Sequence, residues 1–87
     1  MRDSMPLRFT QHARDAMAER ELPVRWVEAA VRHPDWQEAD PHDTSVVRRF
    51  RTIPERGGRV LRVALVETDT EIRILSAFLD RRARRPE

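Results

Sequence analysis

Around residue 45 the spacing of apolar side chains changes from every third or fourth position to every second, which restricts the chain to folds in which helices precede an antiparallel sheet. Three segments show the two-residue period: Ser45 to Ile53, Arg59 to Glu67 and Glu71 to Asp80. The first two are joined by Pro54-Glu55-Arg56-Gly57-Gly58 and the last two by Thr68-Asp69-Thr70. Both links have hairpin length, so a meander is expected. Alternation along a strand sends successive side chains to opposite faces. It assigns Val46, Phe50, Leu61, Val63, Leu65, Ile72, Ile74 and Phe78 to a face that helices would cover. The other face would carry Arg49 and Arg51, then Arg62, then Arg73, interspersed with Val60, Ala64, Val66, Leu75 and Ala77.

The N-terminal half supplies the helices. Thr10 can cap free backbone N–H groups, and Ala13, Ala16 and Met17 then form a stripe, which predicts a helix over residues 11 to 20. Pro23 suits the first turn of a second helix, with Leu22 just ahead of it and Val24, Val27, Ala30 and Val31 as its buried face. Pro34 ends it. Residues 33 to 43 hold no sustained period, although Trp36 to Ala39 could form a short edge strand. The expected fold is α+β: two N-terminal helices packed on one face of a three- to four-stranded antiparallel β-meander. It would form a single domain over residues 1–87, with a core from about 8 to 80 and a basic tail, 81–87, fraying beyond the last strand.

A chain of 87 residues should bury roughly 60–65% of the surface its unfolded form exposes. It has no cysteine, so disulfides and thiolate metal sites are excluded and apolar packing must suffice. The N-terminus lacks the apolar run of a signal peptide, and no later stretch approaches membrane-spanning length, so a cytoplasmic location with no membrane contact is expected. All 17 basic residues are arginine. The simultaneous absence of Lys, Asn and Tyr points to GC-rich codon usage rather than selection for guanidinium groups, which leaves position as the informative quantity. Residues 1 to 45 carry six Arg against nine acids, and residues 46 to 87 carry eleven against six, giving −3 and +5.

That polarity makes the arginine-bearing sheet face the main candidate for function, because guanidinium groups at strand spacing suit a phosphate backbone and the apolar members between them suit a stacked base. The alternative is a solvated face whose arginine stems merely cover the sheet. His12, in the first turn of a helix, is the best candidate for proton transfer, with Arg20 near the same stripe and Glu19 as a companion acid. His33, Asp35, Asp40, His42 and Asp43 match no recognisable ligand spacing, so no metal is expected. Trp26 and Trp36 are expected to pack beside the second helix, the alternative being an exposed Trp36 that marks a partner surface together with the acidic half of the chain. The only glycines are the adjacent Gly57 and Gly58, which excludes a phosphate-cradling loop, and Ser76 has no evident histidine partner. No cofactor is expected.

The run Phe9-Thr10-Gln11-His12-Ala13, with Met17, Glu19-Arg20, Leu22 and Arg32-His33-Pro34-Asp35, resembles a small bacterial domain family of unknown function. Its usual pattern is Thr-x-His-Ala-x-x-Arg-Met-x-Glu-Arg-Gly-Ile, a helix ending in Asn-Pro or a variant, and a β-meander. The resemblance spans residues 9 to 80. Ala16 stands where the pattern has arginine and Glu21 where it has glycine. The family is similar to RelE-like toxins and the wider barnase-like ribonuclease fold, in which two helices precede a curved sheet that binds RNA. The resemblance implies a toxin-type, metal-independent endoribonuclease that activates a ribose 2′-OH against the neighbouring phosphate. His12 would be its general acid or base, and Arg20, Arg51 and Arg62 would neutralise charge on the phosphate. Arg49, Arg73 and Arg82 would bind RNA, Arg82 in the place of a C-terminal arginine common in RelE-like toxins. The implied partners are RNA, in a ribosome-associated setting or free, and an antitoxin protein, with the chain a monomer or a homodimer. If the missing arginine is needed for catalysis, the alternative is a non-catalytic module that engages RNA or an acidic partner protein through the basic sheet face.

Overall fold

A computed structural model describes residues 5–86. Seven elements follow one another: β1 (Leu7–Phe9), α1 (Gln11–Glu19), α2 (Val24–Arg32), β2 (Trp36–Ala39), β3 (Val47–Ile53), β4 (Arg59–Glu67) and β5 (Ile72–Leu79). The strands form one sheet in the order β1-β5-β4-β3-β2, and both helices cover one of its faces. The fold is therefore α+β, as expected, but the sheet has five strands and is mixed rather than a purely antiparallel meander. β2 closes one edge antiparallel to β3, while β1 closes the other parallel to β5. A three-residue strand shows no period of its own. Leu7-Arg8-Phe9 becomes a strand because β5 offers it an edge, through pairs such as Leu7 with Ile72 and Phe9 with Ile74.

Thr10 caps α1 by accepting from the Ala13 amide at 3.1 Å, and its own N–H donates to the Ile74 carbonyl, so one residue both starts the helix and ties it to β5. The helix closes in a Schellman motif. The Leu22 N–H donates to the Met17 carbonyl at 2.8 Å and the Glu21 N–H to that of Ala18 at 3.3 Å, with Met17 and Leu22 both in the core. This geometry puts Glu21 at φ 55°, the left-handed region. The resembled family pattern carries glycine at that position.

The buried face of α2 is Trp26, Val27, Ala30 and Val31. Val24, expected on that face, is 56% exposed, because the helix is rotated to bury the larger indole of Trp26. The helices close over Leu61, Val63, Leu65, Ile72, Ile74, Ala77 and Ile53. Gly57 and Gly58, at φ 65° and 80°, turn the β3–β4 link after a short helical turn at Pro54–Arg56.

Register decides which side chains share a face, and it corrects the expected assignment in two places. On β3, Val47 is opposite Leu65, Arg49 opposite Val63 and Arg51 opposite Leu61, so both arginines stand on the helix-covered side and Phe50 on the open side. Val47 and Ile53 bring this parity about, since both supply apolar area to the core. On β5 the pairing shifts between Ala64 and Leu65: Ile74 is opposite Leu65 and Ser76 opposite Ala64, leaving Leu75 as the extra residue of a bulge. Beyond it the parity inverts. Ala77 enters the core at 1% exposure and Phe78 turns to the open side. Among the described residues no helix is long and apolar enough to cross a membrane.

Candidate nucleic-acid interface

Across the open face runs a row set by the register: Trp36 on β2, Phe50 on β3, Arg62 on β4 and Phe78 on β5, each directly opposite the next. Trp36 and Phe50 stack with ring centroids 4.7 Å apart and planes 4° from parallel. The Arg62 guanidinium carbon stands 4.6 Å from the centre of the Phe78 ring. Phe50 is only 3% exposed although the helices lie on the far side of the sheet, because Trp36 and Arg62 flank it. Trp36 thus belongs to the open face and not to the helix packing expected of it.

Charges surround the row. Arg62 donates to Asp80 at 3.2 Å, and its Nε is buried with no hydrogen-bond partner. Arg48 pairs with Asp40 at 3.0 Å and lies a longer 3.9 Å from Glu38. Toward β1, Arg73 and Arg8 share Glu71, at 3.2 and 3.7 Å. At Asp80 the chain continues into a turn. The Asp80 N–H donates to Val60, its carboxylate accepts from the Arg82 N–H at 2.9 Å, and its carbonyl accepts from the Ala83 N–H. That turn carries Arg82 and Arg84 over the sheet as one wall of a groove of about 370 Å³ whose other lining includes Trp36, Glu38, Phe50, Arg62 and Asp80.

The other arginines expected at the site do structural work on the opposite side. Arg49 donates to the Val31 carbonyl and to Gln37 Oε1, both at 2.9 Å, and pairs with Glu67. Arg51 donates to the His33 carbonyl at 2.6 Å. Two guanidinium groups from β3 thereby fasten the C-terminal end of α2, where carbonyls lack intrahelical donors and the helix dipole favours cations. His12 is exposed in the first turn of α1, and Arg20 caps the same helix, its Nη1 reaching the Ala16 carbonyl at 3.4 Å. The seven residues therefore divide. Arg62, Arg73 and Arg82 belong to the open side, whereas His12, Arg20, Arg49 and Arg51 belong to the helix-bearing side.

The loop acids are employed in shaping their own loop. Asp40 is held below the ordinary carboxylate value chiefly by the His42 amide, helped by Arg48 against a desolvation effect, and Asp43 is lowered by the Ser45 hydroxyl and amide. Asp35 accepts from the Thr52 amide at 2.8 Å. No group of His, Asp and Glu among the described residues has the geometry to hold a metal ion.

What sequence reasoning missed is the aromatic component. Trp36, Phe50, Phe78, Glu38 and Arg48 were assignable only once the β2–β3 register and the β5 bulge fixed which way each side chain points. The alternation of Trp36 with Glu38 and of Arg48 with Phe50 is the signal present in the sequence.

Residues 9–78 match a domain of unknown function, DUF4258, and the chain belongs to that family. No curated protein and no solved structure matches it.

Proposed function

We propose that this domain binds single-stranded RNA on the open face of its sheet. The observation that carries the proposal is the Trp36–Phe50–Arg62–Phe78 row with Arg82 and Arg84 beside it. Aromatic rings flanked by cations suit unpaired bases and their phosphates, since stacking is tolerant of base identity and guanidinium groups neutralise the backbone. The basic balance of residues 46 to 87 favours the same polyanion. Kinship with RelE-like toxins, suggested by the N-terminal run, belongs to this proposal. It concerns binding more than cleavage, because the His12 imidazole belongs to α1, across the sheet from Arg62.

Fluorescence anisotropy with a labelled single-stranded RNA tests it. If about three phosphates are neutralised, affinity should fall roughly 20-fold between 50 and 200 mM salt. Arg82→Ala combined with Arg84→Ala should weaken binding several-fold without unfolding the domain, as both side chains are exposed. Salt-insensitive binding, or none, refutes the proposal. Incubation with RNA in EDTA addresses the catalytic alternative: cleavage by the wild type that His12→Ala abolishes would replace binding with ribonuclease activity.

A further inference from the structure

We infer that the groove beside Trp36 is a nucleobase pocket that selects guanine, with Glu38 as the residue that reads it; the inference rests on the open face being an RNA-binding surface. The groove, about 370 Å³, lies within the range of small-ligand sites, roughly 300–1,000 Å³. It contains two carboxylates in different states. Asp80 is engaged by the Arg62 guanidinium and the Arg82 amide. Glu38 is 49% exposed, and its ion pair is the long 3.9 Å contact with Arg48, which has Asp40 as a closer partner at 3.0 Å. Glu38 therefore brings acceptor capacity into the groove.

A carboxylate is two acceptors side by side and, when ionised, no donor. Among the four RNA bases, guanine alone offers two adjacent donors on its pairing edge, N1–H and the N2 amino group. Adenine and cytosine set one donor beside an acceptor, and uracil sets one donor between two acceptors, so each would turn a lone pair toward the carboxylate. Guanine also carries the O6 and N7 acceptors, which suit arginine donors. Arg62 and the exposed Arg82 both line this groove. Trp36 and Glu38 are two residues apart on one face of β2, about 6.6 Å along the strand. A base lying against the indole is thus within reach of the carboxylate, and Arg84 is placed for its phosphate.

The test uses the full chain and four heptamer RNAs in anisotropy: U3-G-U3, U3-A-U3, U3-inosine-U3 and U7. Guanine should bind about tenfold tighter than adenine or uridine, and inosine, lacking the N2 amino group, should lose most of that advantage. Glu38→Gln replaces one acceptor oxygen by an amide donor. It should erase the guanine preference, so that the variant binds U3-G-U3 and U7 with equal affinity, with the circular dichroism spectrum unchanged. Equal affinity for all four RNAs overturns the guanine pocket but leaves RNA binding standing. A guanine preference that survives Glu38→Gln overturns the role of Glu38, and failure to bind any of the four removes the surface itself.

Discussion

Arg49→Ala separates a structural arginine from a binding one. Its side chain is 12% exposed and joins three parts of the fold: the Val31 carbonyl near the end of α2, Gln37 on β2 and Glu67 at the end of β4. A hydrogen bond involving a charged group contributes about 1.5–3 kcal/mol, and removing one member of a fully buried ion pair costs about 3–5 kcal/mol. Glu67 is 23% exposed, so water recovers part of its solvation and the loss belongs near the lower end, about 2–3 kcal/mol. For a domain of this length that is a fall in Tm of roughly 10–20 °C. Urea and thermal unfolding followed by far-ultraviolet circular dichroism measure it. Arg73→Ala is the control, its side chain being 43% exposed, and should change stability by no more than about 0.5 kcal/mol. Held below its Tm, Arg49→Ala should keep its RNA affinity. A Tm within about 2 °C of wild type would refute the fastening of α2 through Arg49, and a folded variant with lost RNA affinity would refute its assignment to the helix side.

Glu21→Gly should stabilise the domain by about 1 kcal/mol, since it relieves a left-handed backbone at φ 55° and leaves the Schellman hydrogen bonds in place; a lower urea midpoint would show that the Glu21 side chain contributes more than the strain costs. Acid should loosen the 40–45 loop late. The Asp40 and Asp43 carboxyls titrate below their ordinary value of 3.8, so their contribution is complete above that pH and disappears as the pH falls through the lowered folded values. The Ser45 amide resonance, which reports on the Asp43 carboxylate, should therefore move only as the pH falls below about 4, and the absence of any acid-limb transition in it would contradict the hydrogen bonds assigned to that carboxylate.

The helices were legible because their signals are local. Thr10, Pro23 and Pro34 act within one turn, and the Ala13, Ala16 and Met17 stripe needs no knowledge of what it packs against. The longer strands were legible for the same reason, their two-residue period being sustained over seven to nine residues. β1 was not, as three residues form a strand only when an edge is present to receive them. Arg49 and Arg51 were assigned to the correct strand but the wrong side. Alternation separates a strand's residues into two sets without saying which set faces inward, and Phe50 suggested the core more strongly than the smaller Val47 did.

The amino-acid order alone determined the α+β class, the element order from α1 onward, the reliance on apolar packing and the concentration of positive charge in residues 46 to 87. Tertiary structure decided how that charge is used. Strand pairing placed Arg62 and Arg73 on the open face, and a single bulged residue, Leu75, brought Phe78 opposite Arg62, while Arg49 and Arg51 were committed to carbonyls at the C-terminal end of α2. The reason is physical: hydrophobic period is encoded in neighbouring residues, but which face becomes the core depends on pairings between strands distant in sequence, and a one-residue shift in such a pairing moves every later side chain to the other side.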